Sequence, residues 1–318
     1  MRRVLLPLAA LAVALAGCGS SSSKGTSDAT VVLDFTPNAA HAGIYEASGL
    51  GLDRRAYHVH LVVHQPSATT DSLKLLASHK ADLAVADIHD LGLARERGED
   101  LVGVGALVQR PLAAVIAAPS VKRPRDLEGK TVGVTGVPSD NAVLRSIVQG
   151  DGGDPSKVKT VTIGFSAVGS LLAHRVDGAT AFWNVEGVTL ERRGFHPREF
   201  RVDDFGAPRY PELVLVARRD EVEHERGLLH DALGAIALGE ATAVGDADGT
   251  VRRISQASNG DPGLVRAEYN AILPAFLPYV QLQPKALAGW ASFDTRFGIL
   301  KRPPNLRQAF ALGLVPQR

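Results

Sequence analysis

The sequence predicts an α/β protein built as two similar lobes that face each other across a cleft, and three observations lead there. Short apolar runs at 59–63, 83–86, 101–107, 113–117, 131–134, 160–163, 180–182 and 213–217 alternate with helical patterns at 72–78, 141–148 and 169–175. Such alternation implies βα units on a largely parallel sheet. Residues 75–87 are echoed by residues 171–183 with one residue dropped. Each copy holds a helix end, a tight basic-X-Asp connection and a short buried strand, so the chain builds a similar unit twice, with Asp87 and Trp183 at matching strand ends. Finally, a polar cluster closes the first strand, and in open α/β sheets ligands bind at the carboxyl ends of strands. A hydrophobic content of 45% with only 5% aromatics suits Ala, Val and Leu cores. The formal net charge of +1 comes with no basic stripe, which argues against nucleic acid as a partner.

Taken in order, the chain opens on a signal-like segment. Arg2 and Arg3 precede an apolar run at 5–16 that is too short to span a bilayer. The run ends in Leu15-Ala16-Gly17-Cys18, which resembles a bacterial lipobox, where cleavage precedes a cysteine that then carries lipid. Cys18 is the only cysteine, so the chain holds no internal disulfide. The expectation is a signal peptide at 1–17, a Gly/Ser-rich tether at 18–29 and an extracytoplasmic protein anchored to the cell membrane by a lipidated Cys18. A buried core cysteine behind an ordinary export signal is the other reading.

Val31, Val32 and Leu33 begin a buried strand. Pro37 ends it, having no N–H to donate, and Asn38 is a good N-cap for a small-residue helix through Tyr45 and Ala47. Asp34, Phe35 and Asn38 therefore sit between a strand end and a helix start. The chain is expected to cross between lobes near 111–118 and again near 212–218. That assigns 30–112 with 213–318 to lobe 1 and 113–212 to lobe 2, with a hinge near 113–117 and 213–217. The C-terminal third, from Asp220, reads as mostly helical.

The cleft candidates follow from chemistry. Trp183 offers a flat π face, Asn184 both donates and accepts, and an ionised Glu186 only accepts. With Asp34 and Asp87 the set is rich in acceptors and anionic, so it suits a planar heterocycle with amino groups better than a sulfonate, nitrate or phosphate. Trp183 serves equally as core packing, and Glu186 as a helix-start acid. Residues 135–141 follow a strand and open a helix, where Ser139 or Asp140 meets a ligand or simply caps. Tyr45 and Tyr210 each offer a ring and a hydroxyl. His58, His60 and His64 share parity on a strand, which reads as a zinc site or, more simply, as a solvated face. No serine-nucleophile elbow or His-Glu-X-X-His pattern is present.

Leu33-Asp34-Phe35-Thr36-Pro37-Asn38, with His41, Gly43 and Tyr45, resembles the opening of the thiamine-pyrimidine-precursor (no-message-in-thiamine type) proteins. That family contains solute-binding proteins of ABC importers and a related fungal pyrimidine synthase. The likeness continues through 108–112, 126–130, 183–187, 210–215, 297–300 and 303–305, essentially the whole mature chain. The resemblance implies a type II periplasmic-binding fold with a two-strand hinge, a monomer that docks on an ABC permease, and an aminopyrimidine ligand such as formylaminopyrimidine or hydroxymethylpyrimidine. Carried over by position, Trp183 stacks on the ring while Glu186, Asn184 and Asn38 contact its nitrogens. Phe35 stands where the family usually has tryptophan, and the synthase's cysteine-rich motif is absent. The expected ligand-binding set is Asp34, Phe35, Asn38, His41, Tyr45, Asp87, Ser139, Trp183, Asn184, Glu186 and Tyr210, with no catalytic group, metal or cofactor. The alternatives are a receptor for riboflavin, a sulfonate or nitrate, a synthase-like enzyme, or a hydrolase using Asp34 and Glu186 as an acid–base pair. A sensor lobe serving a membrane kinase is a further reading.

Overall fold

Side chains alternate across each strand, and that alternation divides the protein's apolar residues into two clusters. Leu83, Val85, Leu215, Ala217, Ala114 and Ile116 point into one. Their neighbours Ala84, Ala86, Val214, Val216, Val115 and Ala117 point into the other. Both faces of the central strands are thus buried, as βα units require.

The computed structural model describes residues 25–66 and 71–316. The signal segment and Cys18 lie outside the described residues. In order, the elements are β1 (Ser27–Val32), α1 (Ala42–Gly49), α2 (Leu52–Tyr57), β2 (Val59–His64), α3 (Asp71–Ala77), β3 (Leu83–Asp87), α4 (Ile88–Glu96) and β4 (Leu101–Ala106). There follow β5 (Ala113–Ala117), β6 (Thr131–Val134), α5 (Asp140–Gly150), β7 (Lys159–Thr162), α6 (Ala167–Leu172), β8 (Gly178–Phe182), α7 (Val188–Arg192) and β9 (Arg198–Arg201). After β10 (Leu213–Arg218) come α8 (Arg219–His224), α9 (Arg226–Gly245), α10 (Ala247–Ser258), α11 (Pro262–Ile272), α12 (Pro284–Arg296) and α13 (Leu306–Ala309). The strands expected from residue 59 onward form to within two residues at either end. Sequence reading passed over β9, because Arg-Glu-Phe-Arg buries only Phe200 and shows no apolar run.

One sheet has the order β2-β1-β3-β10-β4 and the other β7-β6-β8-β5-β9. In each, a strand that arrives from the other sheet runs antiparallel to both its neighbours: β10 between β3 and β4, β5 between β8 and β9. The two sheets therefore share one topology, the arrangement of a type II periplasmic-binding fold.

Matching details extend to single hydrogen bonds. His79 and His174 both close their helices in the left-handed region, at φ +57° and +52°. Each sits in a Schellman turn: Lys80 N bonds Leu75 O and His79 N bonds Leu76 O, while Arg175 N bonds Ser170 O and His174 N bonds Leu171 O. Asp82 then accepts from Thr30 N at 2.7 Å, and Asp177 from Thr131 N at 2.9 Å. The echo thus aligns with no residue dropped. The ladders agree, pairing Leu213 with Asp87 and Ala113 with Phe182. The partner of Asp87 is Phe182, not Trp183, which lies one residue beyond the strand.

Two further expectations change. Ser27, assigned to the tether, starts β1 and pairs with Val59, because the β1–β2 ladder reaches past the apolar run. The crossings expected near 111–118 and 212–218 fall mostly on β5 and β10, strands held on both edges by ladders. The chain crosses between the sheets in the segments before them, 107–112 and 202–212. Glu212 ties the two together, its Oε2 accepting from Leu112 N at 2.6 Å.

The C-terminal helices pack mainly on the first lobe. Where α9 crosses α1 the backbones nearly touch: a Cβ on Gly239 would stand 1.9 Å from Gly43 O. No helix among the described residues is long and apolar enough to cross a membrane.

Candidate functional site

A cavity of about 560 Å³ opens between the two lobes. Its walls are the residues that follow the parallel strands of each sheet, because that is where βα loops converge. Asp34 after β1 and Thr135 after β6 occupy matching positions and both line it, as do Asp87 and Phe182 at the ends of β3 and β8.

Of the expected residues, Asp34, Phe35, Asn38, Asp87, Ser139, Asn184 and Glu186 line the cavity. Asn38 caps the 3-10 turn that leads into α1, accepting from Ala40 N at 2.9 Å. Glu186 Oε2 accepts from Phe182 N at 3.1 Å, and burial raises its carboxyl. Asn184 is 1% exposed, and its Oδ1 finds no partner among the described residues. Ser139 makes no capping bond. Asp140, the first residue of α5, turns back to the loop instead, accepting from Thr135 Oγ1 at 2.7 Å and Gly136 N at 2.9 Å.

Four expected residues do not line it. His41 is fully buried one layer behind. Its Nδ1 accepts from Asn38 N, so Nε2 carries the proton and donates to Asp34 Oδ1 at 2.8 Å. Tyr45 packs against the core, where burial pushes its hydroxyl up to about 12. Tyr210 is fully buried, its hydroxyl 3.2 Å from His89 Nε2.

The largest departure is Trp183. It begins a π-helical turn, Trp183–Gly187, a rare geometry that re-aims side chains. The indole is 2% exposed and lies outside the cavity. Its Nε1 donates to Pro111 O at 3.0 Å, and the Arg201 guanidinium covers the ring at 4.1 Å from its centroid. The ring stacks on an arginine beside the lobe crossing, and no face is left toward the cavity. One residue of register explains this, since consecutive side chains at a strand end point to opposite sides.

Aromatic surface comes instead from a residue the sequence did not single out. Phe165, 57% exposed, stands at the mouth with its ring centroid 6.2 Å from that of Phe35 on the other lobe. Its only sequence signal is an exposed aromatic between a strand and a helix.

A second missed group lies at the floor on the first lobe. Asp87 caps α4 by accepting from His89 N at 2.7 Å. His89 Nδ1 meets Asp294 Oδ1 at 2.7 Å. Burial works to lower the His89 imidazole, but the charges of Asp294 and Asp87 outweigh it and carry it up to about 10. The imidazole is therefore a buried cation at neutral pH. Burial and the Asp87 charge push Glu212 up to about 8, and the same two causes push Asp90 up to about 7. Asp87 itself is raised by burial. The run Asp87-Ile88-His89-Asp90 after a buried strand is a legible signal for three of these; nothing near Asp294 points to it.

Ligating atoms of Asp87, His89 and Glu212 lie within 4.8 Å of one another. Both His89 nitrogens are already engaged by Asp294 and Tyr210. The trio is thus better suited to hold protons than a metal. The three histidines of the second-strand region do not converge: His58 precedes β2 in the left-handed region, while His60 turns to Asp28 at 3.1 Å.

Comparison with known proteins agrees with this architecture. A model of the family described as NMT1/THI5 like matches residues 38–249. A formylaminopyrimidine-binding protein of Halalkalibacterium halodurans is 32% identical over 222 residues, covering 68% of this chain and 67% of the relative. A 4-amino-5-hydroxymethyl-2-methylpyrimidine phosphate synthase of Legionella pneumophila is 27% identical over 165 residues, about half of each chain. Among solved structures, the periplasmic aliphatic sulphonate binding protein of Escherichia coli superposes with a TM-score of 0.75 at 14% identity, covering 89% of this chain and 91% of that one.

Proposed function

The chain belongs to the NMT1/THI5-like family, and we propose that it is an extracytoplasmic receptor that binds an aminopyrimidine precursor of thiamine and delivers it to an ABC permease. The observation that carries this reading is the chemistry of the cavity. Asp34, Asp87, Asn184 and Glu186 converge on it from both lobes, and the Phe35–Phe165 pair stands at its mouth. A flat ring with amino groups meets that set: the amines donate to the carboxylates and the ring packs on phenylalanine, in the role first given to Trp183. Asn184 Oδ1, buried and unpartnered, gains an amine donor when the site fills. A sulfonate would meet mostly acceptors.

Binding without turnover is the mechanism. A ligand that touches both lobes stabilises the closed arrangement by its differential affinity for it, with motion at 107–112 and 202–212. Lipid on Cys18 would keep the receptor beside its permease. The name of the Legionella relative supports a synthase instead, and the export-like segment at 1–17 weighs against that.

The test is thermal unfolding with hydroxymethylpyrimidine, formylaminopyrimidine, riboflavin, taurine and nitrate. Ligand at a hundred times Kd adds about 2.7 kcal/mol of stability. A shift with either pyrimidine that is lost in Asn184→Ala supports the receptor and its site. A shift with taurine or nitrate alone sinks the ligand. Consumption of the pyrimidine, followed by chromatography, would overturn the binding-only mechanism.

A further inference from the structure

Glu212 lies at the floor of the cavity, 1% exposed, in the second crossing segment. Its two oxygens are treated differently. Oε2 accepts from Leu112 N at 2.6 Å and Ala113 N at 3.4 Å, while Oε1 is buried and no group among the described residues donates to it. A buried carboxylate oxygen left bare is costly, and a negative Asp87 beside it raises the cost. The His89 imidazolium lies close by and offsets part of that cost, but burial and the Asp87 charge outweigh it and raise the Glu212 carboxyl. The other ionisable groups around the floor are Asp87 from β3, His89 and Asp90 from α4, Tyr210 from the crossing segment and Asp294 from α12. Asp203 lies farther along that segment and pairs with Arg110 at 3.0 Å. Three of the groups around the floor are acids, one is a phenol and His89 is the one cation among them, too little to hold every acid ionised.

We propose that Glu212 is a specificity-determining residue: its Oε1 carries a proton and donates it to a ring nitrogen of the ligand, while Asp87 accepts from the adjacent exocyclic amine. This rests on the aminopyrimidine reading above and names the atoms that perform it. The division of labour follows from the bonds present. The oxygen that accepts two backbone N–H groups is the carbonyl oxygen, so the hydroxyl must be Oε1. Asp87 accepts from His89 N and, in the empty site, from the Glu212 hydroxyl; a ligand that enters takes the Glu212 proton on its ring nitrogen and offers its amine to Asp87 in exchange. A donor beside an acceptor is the complement of an amino group beside a ring nitrogen. A pyrimidinone, which presents a carbonyl beside an N–H, reverses both and is rejected, because buried partners would be left unmatched. The site therefore distinguishes two rings of nearly equal size.

Two measurements test this, one of them without ligand. In the empty full-length protein, ¹³C NMR of glutamate carboxyls, with the Glu212 resonance assigned by its loss in Glu212→Gln, should show that carboxyl titrating near pH 8. Titration in the ordinary acid range would overturn the proposal whatever the ligand is. Calorimetry with 4-amino-5-hydroxymethyl-2-methylpyrimidine then reads the pH profile. Wild-type affinity should fall about tenfold between pH 7 and pH 9 as the proton leaves. Glu212→Gln, whose amide donates at every pH, should flatten that profile, and Glu212→Ala should bind about thirtyfold more weakly than wild type at pH 7 and fall no further by pH 9. A glutamine variant as weak as the alanine one at pH 7 would overturn the proton's role. Absence of wild-type binding would sink the aminopyrimidine reading, while the NMR titration still decides where the proton sits.

Discussion

The two lobes share a frame and differ where it ends. Both close a helix with a left-handed histidine, both pin a strand start with an aspartate, and both insert an antiparallel strand from the opposite sheet. Beyond the third strand they part. The first lobe presents Asp87 and, beneath it, a buried network of His89, Asp294, Tyr210 and Glu212. The second presents Phe182 and a π-helical turn that hides Trp183 and turns Asn184 and Glu186 to the cavity. Strands whose two faces are buried tolerate little beyond apolar residues. Chemical difference between duplicated units therefore concentrates in the first residues after them.

Breaking the buried network should produce the largest effect and leave the second lobe's frame intact. Asp294→Ala leaves an imidazolium without its main partner, and loss of one member of a buried ion pair costs about 3–5 kcal/mol. Urea unfolding should show that loss. A cost below about 1 kcal/mol would mean that the charge pair is not the organising element of this lobe.

Next comes pH. Glu212 has its carboxyl raised from 4.5 to about 8, and His89 its imidazole from 6.5 to about 10. Both groups hold more proton folded than unfolded, so both remove stability as pH rises. The His89 contribution is complete below pH 6.5 and lost through pH 10; that of Glu212 declines from pH 4.5 to 8. The unfolding free energy should drop by several kcal/mol between pH 5 and pH 9, at about 1.4 kcal/mol per unit of pH for each group while it titrates. Stability that rises across that range would contradict the protonation states assigned to the first lobe.

The finest comparison uses the matched aspartates. Asp82→Ala and Asp177→Ala each remove one strand-start hydrogen bond, so each should cost about 1 kcal/mol. Equal losses by chemical denaturation would sharpen the equivalence of the lobes; a large inequality would confine it to backbone shape.

Much of this protein is legible in its residues. The β-branched runs fixed where strands lie, because burial on both faces demands continuous apolar sequence. Pro37 and Asn38 marked the turn at the first strand's end, and the repeated helix–aspartate–strand unit announced two lobes. Asp34, Asn38, Asp87, Asn184 and Glu186 could be named as cavity residues since they follow strands directly. Tertiary structure alone decided the rest. A slip of one residue at β8 sends Trp183 to the lobe crossing at Pro111 rather than the cavity, and local sequence does not encode that parity. Glu212 and Asp294 join His89 from distant segments, and Phe165 meets Phe35 only because the lobes face each other. Contacts of that kind depend on the packing of the whole chain, so no window of sequence contains them.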